Sequence, residues 1–309
     1  MSCFVQGIFL LQKNVSVIAN YVQTVLCYSN IIKGNVIPKT NNETEDFTMK
    51  RKMVSALLCA TMVAGMVVVP AATAQAADKK VIGVTMPTKD LQRWNQDGEN
   101  MKKELEAAGY EVDLQYASND VSTQVSQLEN QVANGCDLLV VASIDGSSLG
   151  EPLKQAKEKG IPVISYDRMV NNANTDLYIS FDNRKVGEIM AQALVNALPQ
   201  GGDVFMIQGS SSDNNVQMVK QGFDDMLADT DLHVVYEANC DGWTAELAAG
   251  YVEEALEKYP HVKGIMCGND DLAREVVRVL SENRLAGEIC VVGQDADLEA
   301  CQRIVAGTQ

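Results

Sequence analysis

The sequence predicts an α/β protein built as two doubly wound parallel-sheet lobes joined by a hinge. Three observations predict it. From Lys80 onward, short runs rich in Val and Ile alternate with amphipathic helical stretches. Each run is nearly continuous in apolar character, as expected of a parallel strand covered by helices on both faces. Nine such runs are too many for one compact sheet, so they divide between two lobes.

The first strand is KVIGVTM, 80–86, and the helix after it runs through NMKKELEAAG, 100–109. EVDLQYA, 111–117, then TQVSQLENQVANG, 123–135, repeat the unit, as do DLLVVAS, 137–143, and LGEPLKQAKEKG, 149–160. Gly109, Gly135 and Gly160 close the three helices as C-caps. PVISYD, 162–167, and LYISFD, 177–182, depart from the rhythm, because the polar loop NNANT, 171–175, joins them without a helix. A break after Asp182-Asn183 is the expected hinge. The second lobe then alternates the helix VGEIMAQALVNAL, 186–198, with strands DVFMIQG, 203–209, and HVVYEAN, 233–239. AELAAGYVEEALEKY, 245–259, GIMCGN, 264–269, LAREVVRVLSEN, 272–283, and EICVVGQD, 288–295, complete it.

A chain of 309 residues that is 46% hydrophobic can build two modest cores. Its formal net charge of −16 sets a field that repels nucleic acid and anionic membrane surfaces, so neither is expected as a partner. The eight cysteines contain no C-x-x-C pair, and His233 and His261 have no ligand-like neighbours, so no metal and no cofactor are expected. Cys136, Cys267 and Cys290 read as small apolar residues in or beside strands.

Residues 49–76 have a basic start, a short apolar run and a small-residue end at Ala74-Gln75-Ala76, the pattern of a secretory signal peptide cleaved before Ala77. The apolar run is too short for a stable membrane span. Leu58, bulky and directly before Cys59, argues against lipoprotein processing. An exported protein is expected, with Met49 as its start and residues 1–48 as an upstream extension.

In doubly wound sheets ligands bind outside the carboxyl ends of the strands. Those positions hold Arg93-Trp94, Asp167-Arg168, Asp213-Asn214-Asn215, Asp241-Gly242-Trp243, Asn269-Asp270-Asp271 and Gln294-Asp295. Both tryptophans of the chain are in this set. The chemistry suits a neutral polyhydroxylated molecule: adjacent carboxylate and guanidinium groups serve neighbouring hydroxyls, and an indole covers a C–H face. Taken singly, Asp167-Arg168 reads as a surface ion pair, SDNN and NDD read as helix N-caps, and each tryptophan reads as core. Their shared position at one edge of successive strands is what favours a site, with Asp270 assigned to capping.

Enzymatic readings fare poorly. There is no G-x-G-x-x-G or G-x-x-x-x-G-K-[ST] after the first strand, no G-x-S-x-G elbow, and no histidine at a strand's carboxyl end. Asp167 and Asp295 could pair for glycosidic cleavage, but beside Arg168 both are expected to stay ionised, which removes the proton donor.

The ordered segments RW, SYDRM, YISFDN, GSSSDNN, DGW, GND and VGQDAD resemble the periplasmic D-xylose-binding and multiple-monosaccharide-binding proteins, the receptors of sugar ABC transporters. The resemblance covers about Lys80 to Gln309. It implies a type I periplasmic binding protein fold closing on a monosaccharide, delivery to a transporter permease at the membrane, and a monomer. It also implies sugar contacts from Arg93, Trp94, Asp167, Arg168, Asn215, Trp243, Asn269 and Asp295. By the same resemblance, residues 77–183 plus 296–309 form the first lobe and 184–295 the second. Ser211 stands where the family has proline. The sequence closes on IVAGTQ where the family continues with a strand, a crossover and helices, so the first lobe is expected to be C-terminally truncated. A sugar-sensing regulator of the same fold would begin with a basic helix-turn-helix, and a secreted sugar-modifying enzyme would need an acid and a base.

Overall fold

The computed structural model describes residues 79–171, 173 and 175–309; the expected signal segment and upstream extension lie outside the described residues. Among the described residues, nine strands form two wholly parallel sheets. The first contains β1 (Val81–Met86), β2 (Glu111–Tyr116), β3 (Leu138–Val141), β4 (Val163–Tyr166) and β5 (Leu177–Ile179), in the order β2-β1-β3-β4-β5. The second contains β6 (Gly202–Gln208), β7 (Leu232–Asn239), β8 (Gly264–Cys267) and β9 (Cys290–Val292), in the order β7-β6-β8-β9. In each sheet the chain leaves its first strand to one side and returns on the other. That switch opens a crevice at the carboxyl ends of β1 and β6.

The helices are α1 (Gln92–Ala107), α2 (Val121–Asn134), α3 (Gly150–Glu158), α4 (Asn183–Ala197), α5 (Asn214–Leu227), α6 (Ala245–Lys258), α7 (Asp270–Glu282) and α8 (Leu298–Ala306). They cover the sheets because strand residues alternate faces. Phe205 and Ile207 of β6 pack with α6 and α7, while Val204 and Met206 pack with α4 and α5. In the first lobe, Leu139 and Val141 of β3 pack with Leu128 and Val132 of α2 and Leu153 of α3. Fully burying each such side chain contributes about 1.5–3 kcal/mol. Cys136 and Cys267 are buried among these apolar groups, and Cys290 lies in β9.

Every strand run read from the sequence forms a strand, and β4 and β5 pair directly through a helix-free loop. Two further helices are present: α5 begins within the SDNN segment, whose N-cap reading it bears out, and α8 follows VGQDAD. α4 packs on the second sheet from its start at Asn183, directly after β5. Within residues 296–309, Asp297, Arg303 and Gln309 make hydrogen bonds to Asp270 at the start of α7. Asp297 N and Gln309 Nε2 donate to the Asp270 carboxylate at 3.0 and 2.7 Å, and Arg303 Nη2 donates to Asp270 O at 3.0 Å. Asp270 is buried, and this segment supplies donors to its carboxylate.

Candidate functional site

The loops at the carboxyl ends of both sheets line one cavity, open in part to solvent. α1 starts just beyond β1, and its first turn places Arg93 and Trp94 there. Arg93 Nη2 lies 3.1 Å from Asp167 Oδ1 at the end of β4, and its Nε lies 3.6 Å from Asp97 Oδ2 one helical turn on. Tyr166 donates its hydroxyl to the same Asp97 oxygen at 3.0 Å. Asp97 and Tyr166 are both buried, so Arg93 is held from behind by a carboxylate that is itself fixed.

Arg168 links the lobes. Its Nη1 donates to Ser143 O at 3.1 Å in the first lobe, and its Nε lies 2.7 Å from Asp213 Oδ2 in the second. Its guanidinium carbon stands 5.0 Å from the Trp94 ring centre and 5.8 Å from that of Trp243. Trp243 donates Nε1 to the same Asp213 oxygen at 3.3 Å. Two glycines make room for that indole: a Cβ on Gly209 would meet its ring at 2.3 Å, and one on Gly268 at 3.3 Å. The ring therefore lies against bare backbone at the ends of β6 and β8. Asn215, in the first turn of α5, donates its backbone N–H to Asp213 Oδ1 at 2.9 Å and its Nδ2 to Asp167 O across the lobes at 3.2 Å. Asp167, Trp243 and Asp295 have φ of 61°, 59° and 103°, left-handed values that cost non-glycine residues energy and that tertiary contacts here impose.

Burial pushes the carboxyls of Asp97 and Asp213 up, against the pull of Arg93 and Arg168 respectively. Burial lowers the Arg93 guanidinium, but Asp167, Asp97 and Asp295 together hold it above its ordinary value. Asp295 is pushed up to about 7, desolvation outweighing the attraction of Arg93 even though part of its surface faces the cavity. That corrects the expectation of an Asp295 kept ionised by a neighbouring arginine: depth, not adjacency, decides. Four buried polar atoms on these walls satisfy no hydrogen bond: Arg93 Nη2, Asp167 Oδ1, Arg168 Nε and Asn215 Oδ1. The first three sit at ion-pair distance from a partner but out of line for a hydrogen bond.

All eight residues expected to contact a ligand line this cavity. Asn269 has a double position: its Oδ1 accepts from Leu272 N at 2.9 Å as the N-cap of α7, while the residue faces the cavity. Capping of α7 therefore belongs to Asn269, and Asp270, assigned to that duty from sequence, is instead buried against the segment after Asp295. Sequence reasoning missed Asp213 as the charge partner of Arg168, and it missed Asp97 altogether. The four-residue spacing of Arg93 and Asp97 on one helix face was the available signal for the latter. Among the described residues no three His, Cys, Asp or Glu side chains are grouped to hold a metal ion.

A family model described as a periplasmic binding protein domain matches residues 82–309. The D-xylose-binding periplasmic protein of Escherichia coli (strain K12) is 38% identical over 268 residues, covering 84% of this chain and 78% of its own length. The multiple sugar-binding periplasmic receptor ChvE of Rhizobium radiobacter is 36% identical, covering 77% of this chain and 74% of its own. A solved ABC transporter solute binding protein from Clostridium phytofermentans, with bound β-D-glucose, is 40% identical. It superposes with a TM-score of 0.69 over 74% of this chain and 77% of that one. With a match running from β1 through α8, this chain belongs to the periplasmic binding protein domain family, with the type I fold.

Proposed function

We propose that this chain is an extracytoplasmic receptor that binds one neutral aldose, xylose or a relative, between its lobes and delivers it to an ABC transporter permease. The observation that carries the reading is a cavity wall of buried charged and amide side chains, Arg93, Asp167, Arg168 and Asn215, flanked by two indoles, with Asn215 Oδ1 left without a partner. A polyhydroxylated ring meets such donors and acceptors together, where each left unmet costs about 1–3 kcal/mol. In this reading Arg93, Asp167, Arg168, Asn215, Asn269 and Asp295 bind hydroxyls, and Trp94 and Trp243 cover the C–H faces. Relatives named as periplasmic sugar-binding proteins support it, as does the signal-like segment 49–76. No helix among the described residues is long and apolar enough to cross a membrane. The receptor works as a monomer.

One observation bears on a second reading, a secreted glycoside-cleaving enzyme: a carboxyl near 7 is a proton donor at neutral pH. The receptor reading is favoured because the matched relatives carry sugar-binding names and the solved neighbour an ABC transporter one. Calorimetric titration of the mature protein against pentoses, hexoses, nucleotides and amino acids tests the proposal. Aldopyranoses are expected to bind and to shift tryptophan emission, and the charged ligands to do neither. Absence of any sugar binding, or release of sugar from aryl glycosides, overturns it.

A further inference from the structure

Asn214 sits between two residues of the cavity wall, Asp213 and Asn215, yet its own side chain takes no part in that wall. Its Nδ2 crosses instead to the first lobe, donating to Met169 O at 3.2 Å and to Asn171 Oδ1 at 3.1 Å. The receiving loop follows directly on Asp167 and Arg168, and it is tied down in its turn. Asn171 N donates to Gly146 O at 2.7 Å, and Asn171 Nδ2 reaches Ser147 Oγ at 3.4 Å. A Cβ on Gly146 would meet Met169 O at 2.7 Å and Asn214 Nδ2 at 3.0 Å, so the amide lies against a loop with no slack. Of the other polar side-chain contacts between the lobes among the described residues, Arg168–Asp213 and Asn215–Asp167 belong to the cavity wall. Asn119 Nδ2 to Gly242 O is long, at 3.4 Å.

We propose that Asn214 is a closure latch, a positioning residue that raises sugar affinity by holding the two lobes together without touching the sugar. The proposal rests on the receptor reading and deepens it. A sugar held between lobes leaves only when they part, so a contact that exists only in the closed arrangement slows escape and leaves entry unchanged. The latch depends on donor chemistry, because Nδ2 faces two oxygens. Asn214→Asp keeps the size and shape of the side chain but sets a carboxylate against both acceptors. The same change adds negative charge in the first turn of α5, which stabilises a helix. A residue serving only the fold and a residue serving as latch thus respond to one substitution in opposite directions.

The test measures affinity, association and dissociation rates for the tightest-bound of xylose, glucose and galactose, by calorimetry and stopped-flow tryptophan fluorescence. Thermal unfolding of the sugar-free protein is measured alongside. Asn214→Ala is expected to weaken binding roughly three- to tenfold, the worth of one or two hydrogen bonds. Asn214→Asp is expected to weaken it further. Both losses fall on dissociation, the ranking of sugars is kept, and the Tm of the aspartate variant equals or exceeds that of the wild type. The latch is overturned if the aspartate variant binds as the wild type does, if its loss falls on association, or if affinity drops only together with Tm. A wild-type protein that binds none of the three sugars overturns the receptor reading itself, and this is read before any variant is compared.

Discussion

Gly209→Ala probes whether the cavity depends on an indole lying flat against backbone. The added methyl would come within 2.3 Å of Trp243 Cη2 and Cζ2. Carbon atoms pack at about 3.5–4.0 Å, so the ring must retreat by more than about 1 Å. Gly209 is free of the left-handed φ that would strain an alanine, so the substitution acts through the ring alone. The Trp243 Nε1 bond to Asp213, already 3.3 Å, would not survive the move. A hydrogen bond to a charged acceptor contributes about 1.5–3 kcal/mol. Its loss also frees the carboxylate that Arg168 faces, and the ring loses its sugar face. Together these predict a loss of about 2–3 kcal/mol in sugar affinity, roughly 30- to 150-fold. Calorimetric titration reads the affinity, and thermal unfolding separates it from a loss of fold. Gly250→Ala is the control: on α6, with nothing within 4 Å of the new methyl, it is expected to leave affinity unchanged and to add up to about 1 kcal/mol of stability. Binding by folded Gly209→Ala within threefold of wild type would refute the reasoning.

Asp295, near 7 instead of its ordinary 3.8, is raised in the folded state, so its contribution to stability is present at low pH and is lost as pH rises through about 7. Asp295→Asn removes that penalty, so the sugar-free variant should gain on wild type by up to about 4 kcal/mol between pH 4 and pH 8 in urea unfolding; a pH-independent difference counts against a desolvated carboxyl. Asp270→Ala removes the acceptor for Asp297 N and Gln309 Nε2, loosening the turn that aims Asp295. Sugar affinity is expected to fall at least tenfold by titration, and a loss below threefold would leave Asp270 without a part in the site. Gly187→Ala would bring a methyl within 1.9 Å of Val219 O, where α4 and α5 touch backbone to backbone. It is expected to cost about 3 kcal/mol in urea unfolding, and a cost below about 1 kcal/mol would mean the helices separate freely.

The strands were legible because burial on both faces writes itself as a continuous apolar run, and GIMC of β8 can be read with no knowledge of its neighbours. The cavity-lining set was legible because parallel winding brings every strand's carboxyl end to one side, so Arg93, Asp167 and Asn269 could be chosen by place alone. What escaped notice involves partners far apart in the chain. Asp213 looks like a helix cap, and it is one, since it accepts from Asn215 N; the same carboxylate also answers Arg168 from 45 positions upstream. Asn214 beside it would pass as a turn residue until the first lobe is seen opposite. Nothing near Gly209 announces that a ring 34 residues later will lie on it. Asp295 is the sharpest case, because desolvation and three neighbouring carboxylates oppose the pull of Arg93 on it. The pull of Arg93 could be guessed from shared position at the strand ends, whereas desolvation depends on how deeply the turn from β9 to α8 is set into the second lobe. Asp270, at the start of α7, accepts from Asp297 N and its own charge pushes the Asp295 carboxyl up, so the charge of one aspartate at the cavity depends on another that does not line it.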